Sequence, residues 1–95
     1  MANVTGKTSS GFEYSVDERI FTDWRYMELF ADVLDGTAEE KAAAVPKWGK
    51  FILGKEGLKA LLDHVAANND GFAPTEIMVR ELSEIAPKQK TDSKN

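Results

Sequence analysis

The most reactive side chains in this sequence are one histidine and a few hydroxyls. His64 is the only histidine among 95 residues, and the chain has no cysteine. A zinc site needs several nitrogen or sulfur ligands, and a hydrolytic triad needs a histidine between a nucleophile and a carboxylate. The hydroxyls of Ser9, Ser10, Ser15 and Thr22 stand in no nucleophile-elbow motif. We therefore interpret His64 as a structural residue and expect no catalytic site.

The segment Asn68-Asn-Asp-Gly71 has some of the residue types of a calcium-binding loop. If Gly71 is placed at the glycine position of that loop, Ala66 and Ile77 fall where an acidic ligand and a bidentate glutamate are required. Glu76 misses the second position by one residue. The segment therefore predicts the end of a helix followed by a turn, and we expect no metal and no cofactor.

Acidic and basic residues are unevenly distributed along the chain, whose net charge is −4. Residues 13–40 are strongly acidic, whereas residues 41–59 carry five lysines and one glutamate. Lysines alternate with aromatic residues in Lys47-Trp48-Gly-Lys50-Phe51, a pattern compatible with nucleic-acid binding. The pI of about 4.9 and the absence of arginine from this basic segment argue against nucleic acid. A basic segment of this kind also suits an acidic protein partner.

A third group of candidate residues is the set of carboxylates near residues 32–40. Nothing in the surrounding sequence indicates a pocket that would make them an acid–base pair. We interpret them as a solvated helix face followed by a capping box: Asp32, Asp35, Glu39 and Glu40.

Length and composition predict one soluble globular domain. The chain is 42% hydrophobic and 29% charged, which is an ordinary globular mixture. Its apolar runs are far shorter than the ~20 residues that span a bilayer. The first residues contain no apolar signal-peptide core. We expect a cytosolic protein without a membrane partner.

Residues 22–36 predict the helix around which the domain is organised. The polar residues of this segment form one narrow stripe, so that apolar side chains occupy about two-thirds of the helix circumference: Arg25, Glu28, Asp32 and Asp35. The helix is therefore either the centre of a small bundle or a helix whose second apolar face binds a partner. We expect Thr22 to cap its start and Gly36 to end it in the left-handed conformation.

The rest of the chain predicts short helices and one extended segment. Residues 11–16 alternate apolar and polar side chains, which is typical of a strand. Thr37 and Glu40 have the spacing of a capping box, and Pro46 is expected to end the helix that follows them. Gly54 should end a second helical piece.

Two further helices are predicted after Gly54. The first is amphipathic, with Leu58, Leu61, Leu62 and Val65 at helical spacing. The last begins at Pro74, and we expect a buried face and a solvated face on it. The buried face consists of Met78, Val79, Leu82, Ile85 and Ala86; the solvated face consists of Glu76, Arg80, Glu81 and Glu84.

The predicted fold class is mainly α, a single small bundle of four to five short helices with a short extended N-terminal segment. We expect residues 1–10 to form a flexible N-terminal arm, residues 11–86 the helical domain and residues 87–95 a disordered C-terminal tail.

Several motifs of this chain occur in an order that resembles a known family. They are Ser10-Gly-Phe-Glu-Tyr-Ser-Val-Asp17, Ala31-Asp-Val-Leu-Asp-Gly36, Leu53-Gly-Lys-Glu56, Leu61-Leu-Asp-His-Val65 and Asn69-Asp-Gly-Phe-Ala-Pro-Thr-Glu76. The order resembles that of the small tail assembly chaperones of long-tailed bacteriophages and prophages of Gram-positive bacteria. The resemblance covers about residues 9–86.

This resemblance implies a non-enzymatic role. Such chaperones coat the tape-measure protein and recruit subunits of the tail tube, formed by the major tail protein. The implied location is the cytoplasm of the host bacterium, with no place in the mature virion, and self-association is compatible with it. A small acidic adaptor or regulator of phage origin is an alternative, and a nucleic-acid-binding regulator is another.

If the chain binds a helical partner, part of the apolar surface must be accessible. We predict an interaction surface at the margin of the first helix and in the lysine-rich segment: Tyr26, Phe30, Val33, Lys47, Trp48, Lys50 and Phe51. The alternative is that the apolar members of this set are core residues, since a chain of this length has few others to bury.

Overall fold

The computed structural model describes residues 3–86, which form a β-hairpin followed by helices. The elements are β1 (Asn3–Lys7), β2 (Glu13–Asp17), a 3-10 turn (Glu18–Thr22), α1 (Trp24–Asp35), α2 (Ala38–Ala67) and α3 (Thr75–Ile85). The prediction of a mainly α fold is confirmed. The described residues contain three α-helices rather than a bundle of four to five short ones, because α2 continues where three helices were expected.

The N-terminal segment differs from the predicted flexible arm. Residues 3–7 form β1, which pairs antiparallel with β2 so that Val4 lies opposite Val16. Thr8 begins the connecting turn and is buried, with its Oγ1 accepting a hydrogen bond from the Phe12 backbone N–H at 3.1 Å. Sequence reasoning missed β1 because it contributes only one large apolar side chain and takes its stability from pairing with β2.

The extended segment around β2 was predicted correctly, and it joins the helices to the hairpin. Val16 is buried in the core, and Phe12 and Tyr14 pack against its edge. Asp17 then caps the 3-10 turn by accepting a hydrogen bond from the Arg19 backbone N–H, as its position after the strand predicts.

The ends of α1 differ from the prediction at both termini. Asp23, not Thr22, caps the helix by accepting a hydrogen bond from the Arg25 backbone N–H at 2.8 Å. Gly36 follows the helix in an extended conformation with φ −69° and ψ 165°, not in the left-handed one. A Cβ at Gly36 would lie 2.5 Å from the Asp32 carbonyl oxygen and 2.9 Å from the Glu40 Cβ. Glycine is therefore needed there because α1 and α2 approach closely.

The start of α2 was predicted correctly, but its length was not. Thr37 and Glu40 form both bonds of the capping box, at 3.1 and 2.9 Å. The predicted end before Pro46 is wrong, since the helix passes through Pro46 without a break. A proline inside a helix costs about 3 kcal/mol. Ala44 and Trp48, two residues to either side of Pro46, are buried in the core, and their burial holds the backbone helical.

Gly54 divides α2 into two halves, residues 38–53 and 55–67. Its φ of 77° and ψ of 173° lie outside the helical region, in a conformation almost restricted to glycine. The predicted interruption at Gly54 is confirmed as a sharp kink. Because the chain turns here, both halves of α2 pack around the same core.

One core joins all parts of the described chain. Trp48 lies in it with 1% of its surface exposed, and aromatic contacts run from it through α1. The Phe30 ring stacks on the rings of Trp48 and Tyr26, with centroid distances of 6.0 and 5.6 Å. The Phe21 ring meets the Tyr26 ring edge-on, with a centroid distance of 5.2 Å. The remaining residues of this core come from both halves of α2, from α3 and from the residue after it: Ile52, Leu61, Val65, Met78, Leu82, Ile85 and Ala86.

Candidate functional site

The reactive side chains of the sequence meet where the β-hairpin contacts the helices. Ser10 Oγ lies 3.0 Å from His64 Nε2, and the His64 ring lies 5.6 Å from that of Phe12. Beside them, Ser9 donates from its backbone N–H and its hydroxyl to Glu84, at 2.7 and 2.8 Å. The sequence did not predict these contacts. They join the hairpin turn to α2 and α3, which is a structural role.

The part of the chain that the structure describes contains neither a metal-ligand cluster nor a membrane-spanning helix. Within residues 3–86, no three histidine or carboxylate side chains are close enough together to hold a metal ion. No helix in the same range combines the length and the hydropathy that crossing a membrane requires.

An apolar groove lies between α2 and α3, and we call it the α2–α3 groove. It has a volume of about 910 Å³. The first half of α2 forms one wall and α3 the other, while Leu58 and Leu62 of the second half form the floor. A Cβ on Gly49 would lie 3.1 Å from Leu82 and 3.2 Å from Leu58, so the three elements converge at that end.

The lining of the α2–α3 groove is almost entirely apolar. Of the 15 lining residues, only Lys41, Thr75 and Glu76 carry polar side chains. The rest are Val33, Ala38, Ala42, Val45, Pro46, Gly49, Leu58, Leu62, Ala73, Met78, Val79 and Leu82. Such a lining suits the apolar face of a partner helix, which is a recurring mode of peptide recognition.

Pro46 adds one polar feature to the wall of this groove. Because proline has no backbone N–H, the carbonyl of Ala42 lacks the donor that an α-helix normally provides four residues later. Ala42 and Pro46 both line the groove.

A second, smaller recess lies between α1 and the first half of α2 and carries both lysines of the predicted interaction surface, Lys47 and Lys50. It has a volume of about 570 Å³ and is lined by Arg25, Glu28, Leu29, Asp32, Lys47, Lys50 and Phe51. The Arg25 guanidinium lies 5.4 Å from the centre of the Phe51 ring and 2.7 Å from Asp23. The Arg25 side-chain and backbone hydrogen bonds lower the pKa of Asp23 to about 2. Charges of both signs face each other across this recess.

The predicted interaction residues are not brought together into one surface. Tyr26 and Trp48 are core residues, with 4% and 1% of their surface exposed, so they cannot contribute to a docking face of this fold. Phe30 is half-buried between them. Val33 lines the α2–α3 groove, whereas Lys47, Lys50 and Phe51 line the smaller recess. Whether the accessible members contact a partner stays a prediction.

The exposed apolar residues of α1 lie on its other side. Trp24 is 73% exposed, Met27 51% and Leu34 56%. With Ala31 they follow one another at spacings of three, four and three residues, so they share one helix face, which we call the α1 stripe. Helical spacing in the sequence is enough to reveal the α1 stripe next to the polar stripe of the same helix. It does not show which of the two apolar faces of α1 packs against the core.

Glu81 of α3 is an unexpected buried residue. It was predicted to be solvated, but only 1% of it is exposed. Neither carboxyl oxygen has a hydrogen-bond partner. Helical periodicity placed it on the solvated face, and the sequence contains no signal that this position would be covered.

Comparison of the chain with protein-family models, with curated proteins and with solved structures finds no match. The function must therefore be argued from the groove, the exposed helix face and the order of the motifs.

Proposed function

We propose that this protein is a non-enzymatic tail assembly chaperone of a long-tailed bacteriophage or prophage, and that it holds a helix of the tape-measure protein. The observation that carries this proposal is the α2–α3 groove, which is apolar, open and bounded by two helices. The order of the sequence motifs supplies the family to which the proposal refers. Its place of action is the cytoplasm of the host bacterium, before the virion is complete.

The chemistry of such a client explains why an apolar groove would be useful. A tape-measure protein is long and largely helical, and its apolar stripes would aggregate if they were left uncovered. A chaperone must cover these stripes reversibly and without sequence-specific recognition. A groove lined by aliphatic side chains does so because apolar burial is non-directional.

The second partner in this proposal is the major tail protein, whose subunits form the tail tube. The recess at Lys47, Lys50 and Phe51 is a separate surface, so it can stay accessible while the α2–α3 groove is occupied. Two surfaces on different sides of α2 would allow one chaperone to bring a tube subunit to the tape-measure protein.

The test is co-expression with the tape-measure protein encoded with this chain. We expect the wild-type chaperone to keep that protein soluble and to co-purify with it. Val79→Glu should abolish both effects because it places a carboxylate in the groove wall. Arg80→Gln is the matched control, since it changes the charge by the same amount at the neighbouring exposed position.

The results also separate this proposal from its alternative. If the tape-measure protein stays insoluble with the wild-type chain, the chaperone function is wrong. If a different protein binds and Val79→Glu prevents that binding, the chain is a small adaptor that uses the same groove. Equal behaviour of Val79→Glu and Arg80→Gln would show that the groove is not the binding site.

A further inference from the structure

We propose that copies of this chain associate with one another by docking the α1 stripe of one copy into the α2–α3 groove of the next. The inference rests on two apolar surfaces of the same chain, one convex and one concave. It does not depend on the proposed function, because both surfaces are present in the chain without a client.

The α1 stripe cannot occupy the groove of its own copy. Val33 of α1 already lines that groove, and Tyr26 holds the same side of the helix in the core. Trp24 lies on the opposite side of α1 and is largely exposed. The stripe therefore points away from its own groove and is available to another copy.

The two surfaces match in length. From Trp24 to Leu34 the stripe rises about 15 Å along the helix axis, at about 1.5 Å per residue. The α2 wall of the groove runs from Ala38 to Gly49, which is about 16 Å on the same measure. One helix of three turns therefore matches the α2 wall of the groove in length.

The charges beside the two surfaces are also complementary. The polar margin of the α1 stripe carries the carboxylates of Glu28, Asp32 and Asp35. The α2 wall of the groove carries Lys41, the only basic residue in its lining. A docked α1 can direct its acidic margin towards that lysine, while Glu76 on the opposite wall disfavours the reverse placement.

Trp24 is the residue that we expect to contribute most. It is the most exposed large apolar residue of the described chain, and tryptophan is enriched among residues that dominate interface energies. Because one short helix forms the contact, the buried area is below that of a standard interface, and we expect weak, reversible association.

A heterologous contact of this type adds one copy after another, unless it closes into a ring or two copies exchange their α1 stripes. The purified wild-type chain should therefore show an average mass that rises with concentration in sedimentation equilibrium. Trp24→Glu and Val79→Glu should each weaken the association at least about tenfold, which corresponds to about 1.4 kcal/mol. Trp24→Glu disrupts the α1 stripe and keeps the α2–α3 groove intact, whereas Val79→Glu disrupts the groove and keeps the stripe intact.

Mixing the two variants gives the decisive measurement. An equimolar mixture should form a one-to-one complex, because the groove of the Trp24→Glu protein can still accept the intact stripe of the Val79→Glu protein. Full self-association of Val79→Glu alone would show a contact between two stripes and overturn the inference. Full self-association of Trp24→Glu alone would overturn it in favour of a contact between two grooves.

Two further outcomes complete the test. A wild-type chain that is monomeric at every concentration also overturns the inference, and it leaves the client-binding proposal unaffected because no client is present. Circular dichroism of both variants checks that they are folded, and Arg80→Gln should associate like the wild type.

Discussion

Replacing Glu81 with methionine should stabilise the protein. Glu81 is 1% exposed and its two carboxyl oxygens have no hydrogen-bond partner. Met78 and Ile85, one turn to either side on α3, are buried apolar residues, so the surroundings along the helix favour an apolar side chain. Methionine has nearly the same length as glutamate, a similar helix propensity and enough flexibility to fill an irregular space.

The size of the effect follows from the cost of burying a polar group that makes no hydrogen bond. That cost is about 1–3 kcal/mol, and Glu81→Met removes it without opening a cavity. The free energy of unfolding should therefore rise by about 1–3 kcal/mol. For a domain of this size each 1 kcal/mol raises the melting temperature by about 4–8 °C.

Urea unfolding followed by circular dichroism measures this change, with two carboxylates of the same helix as controls. Glu84→Met should lower the free energy of unfolding by about 1 kcal/mol, since Ser9 loses both of its bonds to Glu84. Glu76→Met, at an exposed position, should stay within about 0.5 kcal/mol of the wild type. A Glu81→Met variant that is less stable than the wild type would refute the reasoning, because it would mean that the buried carboxyl makes a favourable interaction.

Three further predictions concern the ends and the kink of the helices. Thr37→Ala should lower the free energy of unfolding by about 1 kcal/mol, and adding Glu40→Ala should cost less than the sum of the two single changes because they share one capping box. Gly54→Ala should cost about 1–3 kcal/mol, since alanine is strained at φ 77° and ψ 173°; an unchanged urea midpoint would contradict this. Side-chain and backbone hydrogen bonds from Arg19 lower the pKa of Asp17 from 3.8 to about 2. The stability that this carboxylate contributes is therefore complete above pH 3.8, and it is lost as the pH falls through about 2. Arg19→Gln should raise the Asp17 pKa measured by NMR titration, and the remaining backbone bond should keep it below 3.8.

The local signals of the sequence predicted local structure well. The capping box, the strand that ends at Val16, the kink at Gly54 and the helix that begins after Pro74 all depend on interactions within a few residues. The errors concern structure that depends on distant parts of the chain. β1 exists through its pairing with β2, and α2 passes through Pro46 because Ala44 and Trp48 are held by the core.

The candidate site was predictable in kind but not in position. The excess of apolar residues in α1 correctly indicated a second apolar face. Sequence reasoning placed the accessible side at Tyr26, Phe30 and Val33, whereas the structure exposes Trp24 and Met27. The α2–α3 groove could not be predicted, because it depends on how the two halves of α2 turn at Gly54 towards α3.

Which side of α1 is exposed is decided by the connection to α2. Only Gly36 and Thr37 separate the two helices. A Cβ at Gly36 would lie within 3 Å of the Asp32 carbonyl oxygen and of the Glu40 Cβ, so this close approach requires glycine. So short a connection turns the chain back at once, which brings Phe30 onto Trp48 and turns Trp24 outward. A longer connection would allow α1 to rotate and bury Trp24 instead. The exposed stripe is therefore a consequence of one tight turn, and the proposed self-association depends on the geometry that Gly36 permits.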